Sequence, residues 1–147
     1  MTMPDDAVFV DTNVLLAATD PGRSTHSKAL SVFEDRPAKG QTVVISGQVI
    51  REYLVVATRP ISANGLSLKP ADALANIAAF SAACFVVDEK ETVRTKLREL
   101  IRIHDLKGKR IHDPNLVATM AAHGISKVIT ENRGDFDIFE QVEILGL

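Results

Sequence analysis

The chain has 147 residues, the length of one domain that can bury a sizeable core without covalent staples. Its 46% apolar and 24% charged residues suit an ordinary globular protein, and a formal net charge of −2 excludes a globally basic polyanion binder, so any nucleic-acid surface has to be local. The single cysteine, Cys84, excludes an internal disulfide framework and is expected as a small core residue in a reducing compartment. No stretch is apolar enough to span a membrane, and "MTMPDDAV" lacks the basic and apolar regions of a secretory leader. One cytoplasmic domain over residues 1–147, with no membrane partner, is the expectation.

In chain order, "AVFVD" reads as a short buried strand that ends on Asp11. A helix to Ala18 stops at "TDPG", and "STHSKALSVFEDR" starts a second helix with Ser24 as its cap. "TVVIS" is the next strand. Ser46 then caps a helix to Thr58 with a broad apolar face of Val49, Ile50, Tyr53, Leu54, Val56 and Ala57. "ISANGLSLKP" is loop, and "PADALANIAAFSAA" is a helix entered through Pro70. After "CFVVD", a helix carries Val93, Leu97, Leu100, Ile101 and His104 on one stripe and ends at "LKGKR". In "RIHDPNLVATMAAHGI", Asp113 is placed as the cap, Pro114 as the first helical residue and Gly124 as the exit. "KVIT" and "VEIL" complete a strand–helix alternation that implies an α/β fold with a largely parallel sheet.

Four acidic stations stand out. Asp11 sits where an open α/β sheet gathers its ligands, at the carboxyl end of a strand. Glu52 has Val49, Val55 and Val56 at helical spacing around it, so its carboxylate lies on or beside a buried face while the adjacent Arg51 points elsewhere. Asp113 taken alone is explained as a helix cap. Turn chemistry alone could ask for Asn132, Gly134 and Asp135 in "TENRGD". A parallel sheet, however, brings strand ends and helix starts to one edge. Acidic oxygens converging there without thiols suit a hard cation such as Mg²⁺ or Mn²⁺. The four histidines, His26, His104, His112 and His123, show no paired spacing for zinc and are expected at the surface or at helix ends.

With these motifs in order, "VFVDTNVLL", "VIREYLVVATRP", "IHDPNLVATMAAHGI" and "VITENRGDF" followed by "VEIL", the chain resembles the PIN-domain ribonucleases and, within them, the VapC-type toxins of bacterial toxin–antitoxin pairs. The resemblance implies a three-layer PIN-like fold, with a central, mostly parallel sheet of about five strands and helices on both faces. It also implies an acidic pocket that binds Mg²⁺ or Mn²⁺ and an endoribonuclease that cuts RNA by metal-activated water. Asp11, Glu52 and Asp113 match the first three family acids; the fourth position falls on Asn132, with Asp135 as a nearby substitute. Thr12 and Asn13 match a polar pair that braces the first acid, and Pro114 replaces the small residue common after the third. A homodimer and a small antitoxin are implied by the resemblance alone.

Clustered carboxylates raise one another's pKa unless a cation compensates, so the ion belongs to the site. Replacing Asp11 with asparagine is expected to abolish cleavage and, by relieving that repulsion, to make the metal-free protein more stable. RNA needs positive charge nearby, and "VRTKLRELIRIHDLKGKR" places Arg94, Arg98 and Arg102 on one helical ridge, continued by Lys107, Lys109 and Arg110. These arginines are candidate phosphate contacts, with a solvated helix face as the plainer reading. Two other functions stay open: a PIN-like protein that binds RNA or a partner without cutting, and a phosphohydrolase of small phosphate esters. Metal-dependent cleavage separates the first from a nuclease, and substrate comparison separates the second.

Overall fold

The structure, a computed structural model, describes residues 3–147. Strands β1 (Val8–Val10), β2 (Val43–Ser46), β3 (Phe85–Val87), β4 (Lys127–Ile129) and β5 (Glu143–Leu145) form one sheet in the order β3-β2-β1-β4-β5. Every neighbouring pair is parallel. Parallel pairing requires crossovers; as far as β4 they are supplied by α1 (Thr12–Thr19), α2 (His26–Ala38), α3 (Gly47–Thr58), α4 (Pro70–Ala83), α5 (Glu91–His104) and α6 (His112–Ala122), and from β4 to β5 by a connection that carries a 3-10 turn over Arg133–Asp135. Right-handed crossovers put α1 to α4 on one face and α5 with α6 on the other. The packing agrees, with α1 against α2 and α3, α3 against α4, and α5 against α6.

The central strands are buried on both sides, as their unbroken apolar sequence requires: Phe9, Val10, Val44, Ile45, Val128 and Ile129 are all 0–1% exposed. Burying each such side chain contributes about 1.5–3 kcal/mol relative to leaving it in water. Tyr53 and Leu15 close the core on the α1 to α4 face, and Leu116, Met120, Phe136 and Phe139 are equally buried. β3, from the apolar run "CFVVD", is only partly buried. It lies at the sheet edge, and Phe85 and Val86 are exposed while Val87 is buried. Cys84, expected in the core, is half-buried against it, and burial pushes its thiol up to about 12.

Several local expectations hold for the reasons that suggested them. The Ser46 hydroxyl accepts from the Val49 amide at the start of α3, Pro70 opens α4, and Gly124 leaves α6 with φ 71°. Two helix starts differ. α2 begins at His26 rather than behind Ser24, because His26 Nδ1 meets the Ala17 carbonyl at 2.8 Å and ties the helix to α1. α6 begins at His112, since a 3-10 turn over Gly108–Ile111 runs directly into it. Asp113 therefore stands inside the first turn and caps nothing.

The chain steps twice to one side of β1 and then returns to its other side at β4. That reversal opens a crevice at the carboxyl ends of β1 and β4.

Candidate functional site

Asp11 is held in that crevice by both chain and side chain. Its amide donates to the Ile129 carbonyl at 3.0 Å, which continues the β1–β4 pairing one residue beyond the strand. It then caps α1, accepting from the Thr12 amide at Oδ1 (2.8 Å), while Oδ2 accepts from the Thr130 hydroxyl (2.9 Å) and Asn13 Nδ2 (3.1 Å). Burial pushes its carboxyl up to about 6; the Thr130 and Thr12 hydrogen bonds oppose that rise, and the charges of Glu52 and Asp135 add to it. The expected bracing by Thr12 and Asn13 is present. Asn13 Oδ1 also accepts from the Glu131 amide, and Thr130 Oγ1 from the Asn132 amide, so the turn after β4 is tied to the start of α1.

Glu52 reaches the same crevice from α3. Oε2 accepts from the Thr12 hydroxyl at 2.9 Å and Oε1 from Gln48 Nε2 at 2.7 Å, so both oxygens are oriented. Of its valine neighbours, Val49 is buried but Val55 is 57% exposed. Asp113 is half-buried, and among the described residues no hydrogen bond reaches its carboxylate. Burial raises it first, then the charges of Asp135, Asp11 and Glu52, to about 7, with Arg110 opposing. The same acids thus appear in each other's electrostatics, which places Asp11, Glu52, Asp113 and Asp135 in one field. Asn132 and Asp135 both lie on the cavity wall, and of the two only Asp135 adds charge.

The cavity has a volume of about 580 Å³. The four acids with Thr12, Asn13 and Asn132 form one part of its wall; Leu16, Val55 and Val56 make an apolar part. Arg51 and Arg59 add two cations, and His112 completes the wall. Arg51 was expected to point away from Glu52, yet it lines the same cavity. Arg94, Arg98 and Arg102 lie exposed on α5 and are not on this wall. Arg59 is pinned where the chain folds back over the end of α3: a Cβ on Gly65 would stand 2.0 Å from the Arg59 carbonyl oxygen, so only glycine fits. Its Nη2 meets the Asn64 carbonyl at 3.4 Å, and its Nε is buried without a hydrogen-bond partner among the described residues.

Sequence reasoning missed Thr130, Gln48, Arg51 and Arg59 as site residues. The spacing of Gln48 four residues before Glu52 was a readable signal. Thr130 became visible only through the register that sets β4 beside β1. Among the described residues, no three Asp, Glu, His or Cys side chains form a ready metal shell. The donor chemistry nevertheless fits a hard cation that keeps part of its water: carboxylate oxygens, no thiol, and two acids whose pKa values are raised first by burial and further by the neighbouring carboxylates.

Comparison with known proteins agrees with this fold. Ribonuclease VapC48 of Mycobacterium tuberculosis is 32% identical over 136 residues, covering 91% of this chain and 92% of that protein. VapBC2 of Rickettsia felis, solved bound to a promoter DNA fragment, has a similar fold with a TM-score of 0.69 at 16% identity, covering 96% of this chain and 98% of that one. VapC20 of Mycobacterium tuberculosis, described as a Sarcin-Ricin loop cleaving toxin, has a TM-score of 0.61 at 21% identity, covering 82% and 86%. The PIN domain profile matches residues 8–143, and with that span matched this chain belongs to the PIN domain family.

Proposed function

We propose that this chain is a single-domain, Mg²⁺- or Mn²⁺-dependent endoribonuclease and the toxin of a toxin–antitoxin pair. The observation that carries the reading is the convergence of Asp11, Glu52, Asp113 and Asp135 on one crevice, with Asp11 and Asp113 raised to about 6 and about 7. A divalent cation bound there would activate a water and neutralise charge on the scissile phosphate. Asp11, Glu52 and Asp113 would hold it, with Asp135 as the fourth acid. The protein's part is pre-organisation: Thr12, Asn13 and Thr130 fix the Asp11 and Glu52 oxygens before substrate arrives. Asp113, which has no hydrogen-bond donor among the described residues, would be held ionised by a cation in the crevice. Leu16, Val55 and Val56 offer an apolar surface to a base or ribose, and Arg51 and Arg59 supply charge for phosphates beside the one being cut. Arg94, Arg98 and Arg102 would act farther out, on the flanking strand.

Several structural neighbours are toxin–antitoxin complexes, which supports a small protein antitoxin as partner; the homodimer is proposed on the family likeness. The test of the activity is cleavage of RNA by the purified chain with Mg²⁺ or Mn²⁺ and with a chelator, set against p-nitrophenyl phosphate as a small ester. RNA cleavage that requires the ion supports the reading. Binding without cleavage would favour a non-catalytic PIN-like protein, and hydrolysis of the ester alone a phosphohydrolase.

A further inference from the structure

Gln48 stands one turn before Glu52 on α3 and is 2% exposed. Its amide is fully used. Nε2 donates to Glu52 Oε1 at 2.7 Å and to the His112 main-chain carbonyl at 3.0 Å, while Oε1 accepts from Asn115 Nδ2. A carboxylate and a carbonyl can only accept, so chemistry decides which end of the amide faces them. Asn115 fixes the other end and continues the chain to Glu89 Oε1 at 2.7 Å. One side chain therefore joins the Glu52 carboxylate to the backbone immediately before Asp113, across helices that lie on opposite faces of the sheet. Gln48 is not on the cavity wall, so it has no route to substrate.

An apolar residue could fill this buried position without the risk of an unpaired amide, which costs about 1–3 kcal/mol if one partner is lost. An amide that spans the two acid-bearing helices does what an apolar residue cannot. We propose that Gln48 is a positioning residue for the acidic site: it sets Glu52 relative to the start of α6, and Asn115 sets Gln48. The inference rests on the reading of the crevice as a divalent-cation site, and it extends that reading to residues outside the ligand set.

The test is Mn²⁺ titration of the purified chain, followed by electron paramagnetic resonance, for wild type, Gln48→Met, Asn115→Leu and Thr19→Val. Thr19 is the control for a merely structural role: its hydroxyl bonds the Tyr53 hydroxyl at 2.9 Å and so also joins two helices, away from the acids. Gln48→Met should bind Mn²⁺ about 10- to 100-fold more weakly, the usual loss when an outer partner of a metal ligand is removed. Asn115→Leu should weaken binding by a smaller factor, and Thr19→Val should leave it unchanged whatever its melting temperature. Unchanged affinity in Gln48→Met, or equal weakening in Thr19→Val, overturns the assignment. Should Gln48→Met fail to fold, Asn115→Leu decides alone, since it leaves every atom of Gln48 in place. Wild type that binds no Mn²⁺ refutes the cation reading itself and this inference with it, whereas normal binding in all variants refutes only the role of Gln48.

Discussion

The Thr130 hydroxyl donates to Asp11 Oδ2 at 2.9 Å across 119 positions of chain, so the end of β4 orients the acid at the end of β1. The Thr130 hydroxyl oxygen in turn accepts from the Asn132 amide and from Asn13 Nδ2 at 3.2 Å. Thr130→Val keeps the β-branched shape and removes all three interactions. The expected loss is about 1–3 kcal/mol, because a buried carboxylate and a backbone amide each lose a partner. Urea unfolding in chelator measures it; a loss within error would mean that water replaces the hydroxyl at no cost.

Asp113 and Asp11 make the metal-free protein sensitive to pH. Both carboxyls are raised above the ordinary 3.8, to about 7 and about 6, so the folded chain holds protons that the unfolded chain releases. Stability is therefore fullest below the unfolded pKa and falls as pH rises through about 4 to 7. Thermal melts in chelator across that window should show the decline, and added Mg²⁺ should reverse it most at the upper end, where the acids are ionised. Melting temperatures that rise with pH in chelator would contradict the electrostatics.

Asparagine substitutions separate the two acids. Asp11 accepts hydrogen bonds at both oxygens, so the amide nitrogen of Asp11→Asn must face a donor, and the relief of repulsion expected from the sequence is offset. Asp113 has no such donors among the described residues. Asp113→Asn should stabilise the metal-free protein at neutral pH by on the order of 1 kcal/mol after solvent screening, and recover less on adding metal than wild type does. Both variants should lose RNA cleavage. Melts with chelator and with excess Mg²⁺ read the difference, and an Asp113→Asn protein less stable than wild type in chelator would contradict the repulsion argument.

The two sets of arginines differ in what they should change. Arg51→Gln with Arg59→Gln should lower kcat/KM and reduce the salt slope of RNA binding by about 0.7 per lost contact. Arg94→Gln, Arg98→Gln and Arg102→Gln together should weaken binding and flatten the slope while leaving kcat close to wild type, because the ridge stands away from the acids. An unchanged slope in the α5 variant would return that ridge to a solvated helix face.

What could be read from the sequence was what local chemistry decides. A strand that runs into Asp11, the Ser46 cap, Pro70 at a helix start and Gly124 at a helix end each act within a turn of themselves. Asp113 was misplaced as a cap because the 3-10 turn before it, which advances the helix start, has no strong local signature. Arg51 and Arg59 were overlooked because the cavity is made by α3, α1, α6 and the turn after β4 together, and no one segment records it. The joint reach of Gln48 to Glu52 and to His112 likewise exists only once two helices are docked.

The most direct test of the nuclease reading uses a circular RNA, which offers no ends to an exonuclease. Purified wild-type chain should linearise it with Mg²⁺ or Mn²⁺, and neither chelated wild type nor Asp113→Asn should do so. A circle left intact with either ion present, or one opened equally well in chelator, would contradict metal-dependent endonucleolytic cleavage at this site.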